Sequence, residues 1–175
     1  SVTDYPWNGK VRICLRKGGG RFAVKLRIPS WLKASPVAGD LYAYLDEAAR
    51  YSVSVNGEAV DTGEGDSPDT MSPNCKSSGG YVTISRRWKK GDVIELDLPM
   101  EVRRVRANDN AEDLRGKVAL ERGPVVYCLE AADQPDHTVF DKYLPDAQTI
   151  DAHFEKDLLG GVVVLDGAAR KVERS

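Results

Sequence analysis

Two histidines, two methionines and three cysteines leave this 175-residue sequence few of the side chains that hold metals or attack electrophiles. Cys14, Cys75 and Cys128 are odd in number and far apart, which fits neither a paired disulfide framework nor the CxxC spacing of a structural zinc site. His137 and His153 lack Cys, Asp or Glu neighbours at metal-ligand spacing, so no metal site is expected. Long apolar runs are missing too: nothing approaches the ~20 residues of a membrane span, and Ser1 to Val11 lack the basic start and apolar core of a signal peptide. The chain reads as soluble with no membrane partner; any signal on a longer parent, and so its compartment, stays open. Nor does one sign of charge dominate. Lys and Arg total 25 against 27 Asp and Glu, a net charge of −2, so no global field recommends nucleic acid as a partner. The local basic runs Arg86-Arg87-Trp88-Lys89-Lys90 and Arg103-Arg104-Val105-Arg106 are interleaved with acidic residues and read as hairpin tips and solvent-facing strand positions.

What the chain has in quantity is the two-residue period of half-buried strands. Val82 and Ile84 alternate with Thr83 and Ser85; after Trp88-Lys89-Lys90-Gly91-Asp92, Ile94, Leu96 and Leu98 alternate with Glu95 and Asp97. This predicts a hairpin closed at Gly91 and stopped by Pro99. Val11, Ile13 and Leu15, then Gly18-Gly19-Gly20, then Phe22 to Ile28 predict another. Leu41, Tyr44, Leu45 and Ala48 fall at helical spacing behind Asp40, which predicts a short helical insertion over 41–50. Asn56-Gly57 after Val53 and Val55 is the strongest local turn signal. Asp61 to Gly79 is rich in Gly, Ser, Pro and Asp, with little to bury, and predicts a mobile loop. Asn108 to Gly116 is polar and marks a domain boundary. Beyond it, Val118 and Leu120 lead through Gly123-Pro124, a bulge or bend, into Val125 to Leu129. His137 to His153 looks irregular, and Val162 to Val172 suggests a last hairpin turning at Asp166-Gly167, with an uncovered edge. The sum is an all-β chain: an antiparallel β-sandwich over 1–108, and a second, partial β-sandwich unit over 109–175.

Residues that could carry chemistry compete with plainer readings. Glu95 and Asp97 stand at i, i+2 on one strand face, an arrangement that invites comparison with a glycosidase carboxylate pair, yet alternation puts polar side chains outward for its own reasons. Glu121 and Glu130 flank a strand and mark where it meets solvent. Cys128 has no helix start or histidine partner to activate it. Asp136 beside His137, and Asp151 beside His153, are neighbours in sequence only. Trp7, Trp31 and Trp88 are the candidates for stacking on a sugar ring, against the alternative that each supplies core area or braces a turn.

One ordered set of motifs goes further: Tyr5-Pro6-Trp7-Asn8-Gly9, Leu26-Arg27-Ile28-Pro29-Ser30-Trp31, Val55-Asn56-Gly57, Trp88 to Asp92 with Leu96 to Met100, and Gly116 to Tyr127. Together they resemble the C-terminal β-sandwich region of the β-L-arabinofuranosidase-like glycoside hydrolases of family 127, long described as a domain of unknown function. The resemblance spans most of the chain apart from 38–50 and 61–79. It implies an (α/α)6 barrel ahead of the sandwiches, carrying a cysteine nucleophile, a cysteine-and-glutamate zinc site and a glutamate acid/base. None of those motifs has a matching position here. The expectation is a non-catalytic accessory region with no catalytic, cofactor or metal residue of its own, excised from a longer enzyme. Its partner would be the barrel of the same parent chain, its docking face a route to self-association, and carbohydrate a second partner. An autonomous carbohydrate-binding module and a protein-interaction module are the alternatives.

Overall fold

The computed structural model describes residues 2–32, 35–47, 50–63 and 75–172. Up to Pro99 the chain forms β1 (Val2–Thr3), β2 (Lys10–Cys14), β3 (Gly20–Arg27), β4 (Tyr42–Tyr44), β5 (Ser52–Val55), β6 (Glu58–Ala59), β7 (Cys75–Ser78), β8 (Tyr81–Trp88) and β9 (Val93–Asp97). Apart from β4, these strands make two antiparallel sheets, β1-β2-β9-β5-β6 and β3-β8-β7. Their apolar faces meet: Val53, Val55, Ile94 and Leu96 from the first pack with Leu26, Cys75, Val82, Ile84 and Trp88 from the second. The antiparallel sandwich is therefore as expected, and Ile94, Leu96 and Leu98 do face its core.

The strand connections differ from the sequence reading. Neither β2–β3 nor β8–β9 is a hairpin, because each pair crosses from one sheet to the other. Alternation fixes which side chains point inward and is the same for a hairpin and for an arch between facing sheets, so it carries no information on the partner. The two arches brace one another: Gly91 N–H donates to Leu15 C=O at 2.8 Å, and Leu15 N–H donates to Asp92 C=O at 2.9 Å. Asp92 also accepts from Lys89 N–H at 2.8 Å and from Asn56 Nδ2 at 3.0 Å, while Asn56 Oδ1 accepts from Val93 N–H. Those donors hold the Asp92 carboxyl below its ordinary range, the Lys89 N–H foremost. Asn56-Gly57 does close a two-residue hairpin between β5 and β6, with φ of 54° and 83° at the two turn residues.

The second half contains β10 (Val102–Ala107), β11 (Val118–Arg122), β12 (Val125–Tyr127), β13 (Lys142–Tyr143), β14 (Asp151–Glu155), β15 (Val162–Asp166) and β16 (Arg170–Lys171). A four-stranded sheet runs β12-β11-β10-β4; β14-β15 and β13-β16 are separate pairs. The helical insertion is overturned over 41–47; residues 48–49 of it lie outside the described residues. Tyr42 to Tyr44 pairs with β10 as a strand, and Leu41 and Leu45, which a helix would have buried, are about half exposed. The i, i+2 spacing of Tyr42 and Tyr44 satisfies β10's open edge, and that long-range pairing outweighs local spacing. Gly123-Pro124 is not a bulge but the turn of a β11–β12 hairpin, with Arg122 opposite Val125. The last hairpin is also re-paired: β15 joins β14, and the return arm joins β13, so part of the segment read as irregular is strand. Of the loop read over 61–79, residues 64–74 lie outside the described residues, and Cys75–Ser78 is strand β7.

Burial is uneven. Among the described residues, twelve of the buried hydrophobics lie between Leu26 and Leu98, and Val163 alone lies beyond. Phe140, Leu159, Val126 and Phe154 are exposed by 94%, 87%, 65% and 56%. No helix among the described residues is long and apolar enough to cross a membrane.

Candidate functional site

A polar cluster sits where the four-stranded sheet meets the sandwich. β10 turns Arg103 inward, 7% exposed, with its guanidinium stacked 3.3 Å above the Tyr44 ring. It donates to the Trp31 carbonyl at 3.0 Å and the Asp46 carbonyl at 3.1 Å. Tyr44 donates its hydroxyl to Glu121 on β11 at 2.5 Å. Burial, and then that bond to a carboxylate, push the Tyr44 phenol well above its ordinary range, so it stays protonated. Arg122 reaches the Trp7 carbonyl at 3.2 Å. Two arginines of the second half thus grip the backbone at two tryptophans of the first, one of them shielded by a ring. This is a joint, built to hold position.

The three tryptophans fall differently from a sugar platform. Trp88 is 1% exposed and donates its indole N–H to Phe22 C=O at 3.0 Å, so no face is open to a sugar. Trp31 is half-buried and lines a cleft of about 10 Å³ with Tyr44, Arg103 and Glu121, room for about one water. Its indole N–H has no hydrogen-bond partner among the described residues, and a water in that cleft would supply one. Trp7 is half-buried beside its arginine contact.

Nor do the other reactive groups assemble. Glu95 faces outward, paired with Arg12 at 3.1 Å and taking a 3.4 Å bond from Ser54 Oγ. With Asp97 and Lys10 it lines an open groove of about 520 Å³ on the five-stranded sheet. Glu121, read as marking emergence into solvent, is half-buried and held by Tyr44; Glu130 is exposed. Cys14 and Cys128 are exposed and Cys75 is buried, its thiol pushed up by burial and by Asp61, which disfavours the nucleophilic thiolate. Asp136 pairs with Lys142 and Lys171 rather than His137, at 2.7 and 3.3 Å. His153 stands between Glu155 and Asp166, at 3.0 and 3.1 Å, not against Asp151. No group of three metal-ligating side chains occurs among the described residues.

Comparison with known proteins decides the family. The model of the β-L-arabinofuranosidase GH127 middle domain matches residues 1–100, and that of the glycoside hydrolase family 127 C-terminal domain matches residues 102–164. The chain belongs to glycoside hydrolase family 127. A curated family relative, the non-reducing end β-L-arabinofuranosidase of Bifidobacterium longum, is 32% identical over 173 residues, covering 94% of this chain and 22% of its own. A solved GH127 β-arabinofuranosidase superposes with a TM-score of 0.84 at 37% identity, over 97% of this chain and 25% of that one. The GH127 β-L-arabinofuranosidase Ara127N of Geobacillus stearothermophilus T6 gives 0.78, also at 37% identity, over 99% and 23%. The GH127 chain described here thus spans about a quarter of the length of these relatives, which carry its equivalent inside a larger protein.

The joint residues Tyr44 and Arg103 were missed at the level of sequence. Arg103 hid in a run of arginines, and its stacking partner lies on a strand remote in the chain. One signal was present: Arg103 shares strand parity with Val105, which in a sheet packed on one side points to the inner face.

Proposed function

We propose that this chain is the accessory β region of a β-L-arabinofuranosidase-like hydrolase, and that its second half completes its core by docking on a catalytic barrel elsewhere in the parent polypeptide. The uneven burial carries the reading. The β14–β15 pair is a two-stranded sheet, marginal by itself in water, and exposes Phe154 and, in its connecting turn, Leu159 while burying Val163. Such a pair gains order by covering its apolar side chains with more protein. The joint of Arg103, Tyr44 and Arg122 fits the same role, since it fixes the second half against the sandwich and so presents the docking face in one orientation. A cysteine nucleophile, a zinc ion and an acid/base, which the resemblance assigns to a barrel, would then act outside this chain. Hydrogen exchange tests the docking: amides of β14 and β15 should exchange slowly in the parent enzyme and much faster in the 175-residue chain alone. Equal, rapid exchange in both would remove the docking face from the account.

A further inference from the structure

Strands β3, β7 and β8 contain no aspartate or glutamate. Their inner face is apolar apart from Ser77 and Arg86, whose guanidinium lies over Trp88; the outer face is cationic. Residues directly opposite in antiparallel strands share a face, so the register Arg21↔Arg87, Lys25↔Thr83↔Lys76 and Arg27↔Tyr81↔Ser78 brings five cations to one surface. All five are exposed, and none makes an ion pair among the described residues. Arg21 and Arg87 lie directly across from each other, a placement that like-charge repulsion disfavours and that neutral residues would relieve. The interleaving of acids and bases in sequence does not survive folding: beyond Asp92 the chain crosses to the other sheet, where Glu95 meets Arg12. The fold thus sorts the charge that the sequence mixes.

We propose that this face binds an acidic glycan, a polymer carrying uronate carboxylates. Guanidinium and ammonium groups only donate hydrogen bonds, so the face is complementary to charged acceptors repeated along a chain. Arg21 to Arg27 spans roughly 20 Å along β3, the footprint of an extended polymer rather than a single anion. Between the cations stand Ser78, Thr83 and Ser85, suited to sugar hydroxyls, and Tyr81, 39% exposed, with the Arg27 guanidinium 5.8 Å from its ring centre. Single-stranded nucleic acid would call for several stacking rings, and this face offers one. The choice of a glycan over another polyanion rests on the accessory reading above; the face would tether the parent enzyme to polymeric material.

The test uses the parent enzyme, with binding to polygalacturonate, neutral linear arabinan and DNA measured by affinity electrophoresis and calorimetry. Polygalacturonate should bind most tightly and weaken as salt rises. The triple variant Arg21→Gln/Lys25→Gln/Arg87→Gln should lose about tenfold or more, the summed effect expected of three exposed charge contacts. Arg21→Lys/Arg87→Lys and the opposite-sheet control Arg12→Gln should keep affinity. An unchanged unfolding midpoint and unchanged turnover of a small aryl arabinofuranoside would show that the triple variant is folded. Equal binding of arabinan, tighter binding of DNA, or wild-type affinity in the triple variant would overturn the proposal. A parent that bound polygalacturonate through this face yet hydrolysed no arabinofuranoside would sink the accessory reading and leave the face standing.

Discussion

Leu96 and Glu95 are neighbours on β9 that face opposite ways, and substituting each by alanine reads the sandwich directly. Leu96 is 6% exposed, with Val11 and Val53 beside it on the flanking strands. Leu96→Ala removes three carbons, about 2.4 kcal/mol of transfer free energy at ~0.8 kcal/mol per methylene. The facing sheet cannot collapse fully into the gap, so a cavity term adds to this and places the loss within about 2–5 kcal/mol. Glu95 gives up an ion pair whose two side chains are 58% and 47% exposed, worth about 0–1 kcal/mol. Urea unfolding followed by fluorescence of the buried Trp88 measures both, provided the m-value is unchanged. A Leu96→Ala loss below about 1 kcal/mol, or a Glu95→Ala loss as large as that of Leu96→Ala, would refute the face assignment.

Gly9→Ala should destabilise by more than the ~1 kcal/mol of an average point mutant, because a Cβ there would stand 1.7 Å from the Leu98 carbonyl oxygen, which is backbone and cannot swing aside; a variant as stable as wild type in the same urea assay would contradict the packing of that loop on β9. Asp136 is pulled down to about 2 by its bond to Lys142 and then by Lys171. A depressed carboxyl stabilises the fold above its unfolded pKa, near 4, and that contribution is lost as pH falls through about 2. The stability gap between wild type and Asp136→Asn should therefore be full at pH 6 and gone only below about pH 2, and a gap constant with pH would show that the Asp136 charge does not hold β13 to β16.

Inward faces were legible in the sequence because alternation encodes them: Ile94, Leu96 and Leu98 share parity, and so do Val82 and Ile84, whereas Trp88, which continues that parity, stayed open between core and sugar stacking. Pairing was not legible. A turn such as Lys89 to Asp92 reads the same whether the chain doubles back within one sheet or crosses between two, and only the cross-connections to Leu15 and Asn56, distant in sequence, decide it. Residues 41–45 misled for a related reason, since their leucine spacing matches a helix while their tyrosines match a strand, and the open edge of β10 settles the contest. Asn56-Gly57 was read correctly because both positions need positive φ, a demand that is local and residue-specific. The Arg103–Tyr44–Glu121 joint and the cationic face are products of register between remote strands, and local parity, as of Arg103 with Val105, places a side chain on a face without naming its partners.

Turnover of an aryl β-L-arabinofuranoside tests the accessory assignment most directly. The 175-residue chain should release aglycone no faster than the buffer blank, because the Glu95–Asp97 pair lies on an open sheet face with Glu95 held by Arg12, and no activated thiol is assembled among the described residues. The parent polypeptide containing it should hydrolyse the same substrate. Release by the chain alone, above the blank and proportional to its concentration, would contradict the assignment.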